Sequence, residues 1–399
     1  MNVKSLAEKY NDYIIDRRRF YHACPELSNK EENTAASLKA DLEAMGISVA
    51  MCKTCHGLVG TIEGGKPGKT VALRADIDAL EVVEETGLPF ASTNGAMHAC
   101  GHDNHMAMLL GAAKILTEVK AELPGKVKLL FQPAEEVATG AKAMVAEGVM
   151  DGVDAVYGAH IWGNFDAPLV DVSAGNRMAC CDIFTITIEG VSAHGSAPHL
   201  GTDAIVAAAS IIMNLQTYVS RNNDPLNPLV LTVGKINGGQ RFNIIANKVV
   251  IEGTVRTFSN KILETIVDDM QRIAGDTAAA LGAKASMEYT HLTPPVINDN
   301  EKLNQIAHDA VVKLYGEEGV GHLPTMMGSE DFSYFMEKAL ACTALLAAAT
   351  RQRAMCTRTT TKSTPWTRTC CGVVPPYMRS LPLTFCKARR KLPAAWPAF

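Results

Sequence analysis

Apolar residues recur at three- and four-residue intervals over Val3 to Tyr21, Lys30 to Met45, Asn104 to Lys120, Thr139 to Glu147 and Glu301 to Tyr315, which predicts a helix over each. Short apolar runs near Gly57 to Glu63, Thr70 to Arg74, Lys126 to Phe131 and Val153 to His160 predict strands between them. Strands and helices taken in turn imply an α/β sheet covered on both faces.

Between about Cys180 and His291 the pattern changes. The strand Cys181 to Glu189 sets Phe184, Ile186 and Ile188 against Ile183, Thr185, Thr187 and Glu189, so one face is apolar and the other mixed. An apolar helix, Asp203 to Tyr218, follows, then strands Leu229 to Ile236 and Lys248 to Arg256, a helix Lys261 to Leu281 and a strand Lys284 to Thr290. That is the β-α-β-β-α-β order of a ferredoxin-like unit. A unit of this size fits as an insertion into an α/β domain, which gives 1–178 and 293–337 as one domain, 179–292 as the insert and 338–399 as a separate tail.

Composition changes this picture mainly at the C-terminus. The chain has 399 residues, 38 Lys+Arg against 42 Asp+Glu, and 47% apolar residues, which fits a folded protein of two or three domains. A net charge of −4 argues against nucleic acid as a partner. The apolar runs Ala204 to Met213 and Ala339 to Ala349 are too short for a membrane span, and Met1 to Phe20 has no apolar core of a signal peptide, so a cytoplasmic protein is expected. Residues 338–399 contain no Asp or Glu but 11 Lys+Arg, which leaves 27 basic and 42 acidic residues before them, a net of −15.

Three segments carry candidate chemistry. His98-Ala99-Cys100-Gly101-His102-Asp103-Asn104-His105 leads into a helix, and Cys100 and His102 can converge on one metal from an irregular loop. Gln132-Pro133-Ala134-Glu135-Glu136 follows a strand; of two adjacent carboxylates, one can ligate a metal while the other takes a proton from water. A solvated pair at a helix start is the plainer alternative. A third strand ends in His160, which by itself would more often be a core or cap residue than a ligand. All three segments fall where an α/β sheet presents its strand C-termini, and Cys, His and Glu together suit zinc or a neighbouring transition ion better than magnesium or calcium.

These segments, with Arg17-Arg18 through His22-Ala23-Cys24-Pro25-Glu26-Leu27 and Arg74-Ala75-Asp76-Ile77-Asp78-Ala79-Leu80, resemble the successive motifs of the M20 metallopeptidase family, in its aminoacylase, hippurate hydrolase and IAA-amino acid hydrolase branch. The resemblance runs from about Arg17 to Glu337 and implies a mixed-sheet metallohydrolase catalytic domain with an inserted dimerisation domain. It implies a homodimer holding two divalent metal ions, zinc or manganese, that hydrolyses small N-acyl amino acids. Metal ligands would be Cys100, His102, Glu136 and His160, with Glu135 the general base and Asp76 a carboxylate orienting a ligand histidine. In Ser192-Ala193-His194-Gly195, His194 would act at the partner subunit's site; Asn243 and Arg256 would bind the substrate carboxylate.

The family also places a ligand histidine after a Gly-Ser-Glu-Asp-Phe segment. Gly328-Ser329-Glu330-Asp331-Phe332 is present, but the last histidine is His322. Back-translating Met355 to Thr369 in a shifted frame permits a peptide containing Asn-His-Asn-Glu that resembles the missing segment, so a frameshift shortly after Glu337 is one explanation of the tail. If the tail is the natural chain, one metal lacks a ligand and the catalytic domain lacks its closing strand and helix. Two further readings are an N-acetyl-diaminopimelate-type deacetylase and a noncatalytic metal-binding dimer. Finally, Cys52-Lys53-Thr54-Cys55-His56 fits both a c-type haem attachment pattern, which normally requires export, and a redox-active Cys-x-x-Cys pair.

Overall fold

The computed structural model describes residues 3–349. In chain order the elements are α1 (Val3–Lys9), α2 (Asn11–Ala23), α3 (Glu32–Ala44), β1 (Ser48–Met51), β2 (Leu58–Glu63), β3 (Lys66–Asp76), α4 (His102–Glu118), β4 (Pro124–Gln132), α5 (Gly140–Ala146), β5 (Ala155–Asp166), β6 (Val170–Asp171), β7 (Gly175–Met178) and β8 (Cys181–Glu189). They continue with α6 (Ala204–Thr217), β9 (Leu229–Gly238), β10 (Lys248–Thr257), α7 (Asn260–Ala280), β11 (Lys284–Thr293), β12 (Val296–Asn298), α8 (Glu301–Tyr315), α9 (Ser333–Met336) and β13 (Leu340–Ala349). Two compact units result among the described residues: 3–175, 298–324 and 331–349 form one, and 176–297 with 325–330 the other.

The first unit is built on a mixed seven-stranded sheet in the order β1-β2-β4-β3-β5-β13-β6. Its centre, β4, β3, β5 and β13, is parallel, and the flanking strands run antiparallel. Alternate residues of each central strand point to opposite faces. Val71, Leu73 and Ala75 of β3, Leu129 and Phe131 of β4, and Ala155 and Tyr157 of β5 enter the core under α1 to α4 and α8, whereas Ala72, Leu130 and Val156 meet α5, Phe332 and Phe335 on the other face. Burial on both faces explains why these strands read as continuous apolar runs.

Two expectations are corrected here. The helix expected over Val3 to Tyr21 is two helices, because the chain leaves helical angles at Tyr10, whose hydroxyl donates to Glu118 of α4 at 2.5 Å. The tail expected from residue 338 begins with native sheet: β13 lies between β5 and β6, so the closing strand is present. Counting over 62 residues merged this apolar strand with the Thr- and Arg-rich stretch after it. The segment whose shifted frame resembles a ligand loop, 355–369, lies outside the described residues.

The second unit is a four-stranded antiparallel sheet, β11-β8-β10-β9, which is the order fourth, first, third, second of a ferredoxin-like unit. Phe184, Ile186 and Ile188 pack under α6 and α7, as the alternation in β8 predicts. Asp203 caps α6 and Ser259 caps α7, each accepting backbone N–H bonds that the first turn cannot satisfy internally. β7 and β12 pair where the chain enters and leaves this unit.

Candidate metal centre

Three neighbouring parallel strands of the first unit deliver the candidate ligands. β3 runs out through Asp76 to Asp78, β4 into the loop bearing Glu135 and Glu136, and β5 through His160. In register, Asp76 stands beside Gln132 and Leu345 beside His160. The fourth contribution is the turn before α4. Gly101 adopts φ +92°, and a Cβ there would lie 2.3 Å from Ile161 Cδ1, so only glycine lets Cys100 and His102 face the strand ends.

Hydrogen bonds fix the histidine tautomers. His102 Nδ1 lies 2.9 Å from the Asp78 carbonyl oxygen, which can only accept, so Nδ1 carries the proton and Nε2 presents its lone pair. His160 Nδ1 donates likewise to Ile161 O at 2.6 Å, turning Nε2 to within 3.6 Å of Cys100 Sγ. The ligand atoms of Cys100, His102 and His160 lie within 4.8 Å of one another, as do those of His102, Glu135 and Glu136. His102 Nε2 is 3.9 Å from Glu135 Oε2 and 3.9 Å from Glu136 Oε1. Both His102 Nε2 and Glu136 Oε1 are buried without a hydrogen bond of good geometry. Buried polar atoms of that kind are rare, and a soft-to-borderline donor set of thiol, imidazole and carboxylate converging on them fits a transition-metal cation.

The loop that holds the two glutamates is strained and pinned. Ala134 and Ala138 have φ of +51° and +56°, a region that costs a non-glycine residue about 1–2 kcal/mol. Ala134 N–H donates to the buried Glu31 at 2.8 Å, and Glu136 N–H donates to Asp78 Oδ2 at 3.1 Å. Asp331 ties the same region together by accepting from Arg74, Gln132 and the Ala141 N–H.

Asp76 is expected to orient a ligand histidine, but its short partner is His105, which is not among the expected ligands, at 2.5 Å, with Arg74 at 2.7 Å on its other oxygen. It stands 3.6 Å from His102 Nε2. His105 accepts the Ile161 N–H at 3.0 Å on Nε2, so both its nitrogens are engaged and it serves as a buttress. The residue that sets His102 is Asp78, to which sequence reasoning assigned no role; its carbonyl also receives His98 Nδ1 at 3.1 Å. The two aspartates at alternate positions of one strand end were the available signal, but the carbonyl contact had none.

The electrostatics favour a cation. Burial opposes a charged His102, yet the carboxylates of Asp76 and Asp78 and the Cys100 thiol outweigh it and hold the imidazole proton well above the usual range. Burial, with Asp78 and Asp76 nearby, pushes the Glu136 carboxyl up. Burial raises the Cys100 thiol, with the Glu136 charge adding to it. A divalent cation held by these groups would take the place of the second proton of His102, on Nε2, and would relieve both acidic groups.

The remaining expected residues lie in the second unit. His194 is exposed, its Nδ1 2.7 Å from Ser196 Oγ, and its loop is joined to that of Asn243 through the Gly195 N–H, which donates to Asn243 O at 2.8 Å. Arg256, on β10, donates to Ser329 Oγ at 3.0 Å.

Residues 72–355 match the family described as Peptidase family M20/M25/M40. The chain belongs to the peptidase M20 family. It is 43% identical over 338 residues to the N-acetyl-L-cysteine deacetylase of Bacillus subtilis, covering 84% of this chain and 80% of that one. To the N-acyl-L-amino acid amidohydrolase of Geobacillus stearothermophilus it is 40% identical over 332 residues, covering 83% and 90%. Among solved structures, the YXEP protein of B. subtilis, described as a dinuclear metal-binding peptidase of the M20 family, superposes with a TM-score of 0.77 at 31% identity over 95% of this chain and 96% of that one. As an M20 hydrolase the chain carries the family's mixed α/β architecture. No helix among the described residues is long and apolar enough to cross a membrane.

Proposed function

We propose that this M20 hydrolase is a metal-dependent amidohydrolase that cleaves N-acyl amino acids, acetyl or aroyl, into a carboxylate and a free amino acid. The convergence of Cys100, His102, His160 and Glu136, with Glu135 beside them, carries the reading. Two divalent ions, zinc or manganese, held by those ligands would polarise the acyl carbonyl and acidify a water. Glu135 takes the proton from that water and returns it to the leaving amine. Arg256, with Asn243, binds the substrate carboxylate, for which a guanidinium offers a two-pronged match.

His194, supplied by a second copy of the chain, donates to the oxyanion of the tetrahedral intermediate. A homodimer is supported by the second unit's surface: β9 is an edge strand, and Ile205, Val206 and Met213 of α6 are exposed. A cytoplasmic location is supported by the described cysteines, which are all free.

Purified protein, stripped and reloaded with zinc or manganese, should hydrolyse members of a panel of hippurate, N-acetyl amino acids including N-acetylcysteine, and N-acetyl-diaminopimelate. Preference for the last would select the biosynthetic deacetylase reading. The absence of any histidine after His322 favours a second reading, a noncatalytic metal-binding dimer; stoichiometric metal with no turnover on the whole panel would establish it and end the hydrolase proposal.

A further inference from the structure

Cys52 and Cys55 take no part in the metal centre. They lie in the turn between β1 and β2, where Met51 pairs with Leu58 and Cys52 N–H donates to Gly57 O at 2.8 Å. Both thiols are free and half-buried, and their sulfurs, with a Glu147 oxygen, lie within 4.8 Å of one another. Disulfide formation brings sulfurs to about 2.05 Å, which side-chain rotation can supply when two cysteines share one tight turn.

Glu147 holds that turn from the end of α5. Its carboxylate accepts the N–H of Lys53 at 2.8 Å and of Thr54 at 2.7 Å, and the Thr54 hydroxyl at 2.5 Å. With the carboxylate so occupied, the cluster offers a cation two sulfurs, short of the four ligands of a closed structural zinc site. The two thiols also differ. The Cys52 thiol donates to Cys55, which lowers Cys55 against burial, and the Gly57 backbone adds to the effect; the same contact and burial raise Cys52.

The turn abuts the loop that bears Glu135 and Glu136. A Cβ on Gly57 would stand 2.9 Å from Met144 Sδ and 3.2 Å from Pro133 Cδ, and the two cysteine side chains pack against the apolar cluster containing Met144.

We propose that Cys52 and Cys55 are a reversible dithiol–disulfide site that reacts with low-molecular-weight disulfides, and that the state of this turn is passed to the 133–140 loop through Pro133 and α5. One of the two cysteines, as its thiolate, attacks one sulfur of the small disulfide, whose S–S bond breaks to release a thiolate. The other cysteine then loses its proton and attacks the first one's sulfur in the mixed disulfide, expelling the second thiolate. The protein loses two electrons and two protons, and the small disulfide becomes two thiols.

The test equilibrates the full chain in oxidised and reduced glutathione, alkylates it, denatures it and digests it with trypsin. Lys53 separates the two cysteines, so an intramolecular disulfide appears as peptide 40–53 linked to peptide 54–69, and dithiothreitol parts them. The linked-to-unlinked ratio should rise about tenfold for each tenfold increase in oxidised glutathione over the square of the reduced form. Amide hydrogen exchange in residues 133–140 should be faster in the linked protein than in the reduced protein, and Cys55→Ser should abolish both changes.

Free Cys52 and Cys55 at the oxidising limit, or a stable glutathione adduct on either, would overturn the disulfide. One equivalent of zinc lost on Cys52→Ser would overturn it in favour of a metal site. Equal exchange in the linked and reduced proteins would overturn the transmission to the loop. None of these readouts depends on turnover, so they stand apart from the hydrolase reading.

Discussion

Replacing Gly101 by alanine tests the close approach on which the centre depends. The new methyl would sit 2.3 Å from Ile161 Cδ1 and 2.8 Å from Cγ1. Carbon atoms prefer about 3.5–4.0 Å, so the overlap exceeds an ångström. Ile161 is 3% exposed and cannot simply swing away. The left-handed backbone adds about 1–2 kcal/mol and crowding of a packed core about 1–3 kcal/mol, for a total of about 2–5 kcal/mol. Gly87→Ala is the control, because Gly87 has φ +67° with nothing within 4 Å of an added Cβ, and should cost only the backbone component of about 1–2 kcal/mol.

The damage should also reach the metal. Ile161 donates its N–H to His105 and accepts from His160 Nδ1, so displacing Ile161 moves a candidate ligand and a buttress. Denaturant titration of both variants, with metal content by mass spectrometry, should show Gly101→Ala less stable than Gly87→Ala by about 1–3 kcal/mol and poorer in metal. Equal midpoints with equal metal content would refute the argument from close packing.

Three further outcomes are expected. Glu135→Gln should retain metal and lose about 10²–10⁴-fold in turnover, whereas Cys100→Ala and Glu136→Ala should lose metal as well; substantial activity in Glu135→Gln would remove that residue from proton transfer. Glu31→Ala leaves the Ala134 N–H without its acceptor and should destabilise the protein by about 1–3 kcal/mol in denaturant titration, with faster exchange in the 133–140 loop; an unchanged midpoint would show that the strained loop does not depend on Glu31. Burial lowers the His98 pKa from 6.5 to about 4. The unfolded chain therefore binds this proton first, so stability is full above the ordinary histidine pKa and falls by about 3 kcal/mol as pH drops from about 6.5 to 4. His98→Gln should flatten that part of the pH–stability curve, and an unaltered slope would exclude His98 as its source.

Local pattern revealed most of the elements because each face is nearly independent of the rest of the chain. The apolar alternation in β8 and the continuous runs in β3 to β5 are properties of a few adjacent residues, and their burial follows. Short pieces escaped. The two residues of β6 and three of β12 contain no period to read, and β13, an apolar run too short for a membrane, falls into the tail when composition is averaged over dissimilar neighbours.

Residue type and spacing by themselves marked Cys100 and His102 as able to share a metal and left open which of Glu135 and Glu136, and whether His160, would join them, since thiol, imidazole and carboxylate keep their chemistry wherever they are placed. The set Cys100, His102, Glu136 and His160 is what the resemblance to the M20 family implies. Only the tertiary structure decided how those groups are held. The Asp78 carbonyl fixes the His102 tautomer, His105 is spent between Asp76 and the Ile161 N–H, and Glu31 pins the loop of the two glutamates from 103 residues away in the chain. Backbone carbonyls and N–H groups are the same in every residue, so a sequence carries no mark of which of them will be aimed at a side chain; that is settled when β3, β4 and β5 come into register.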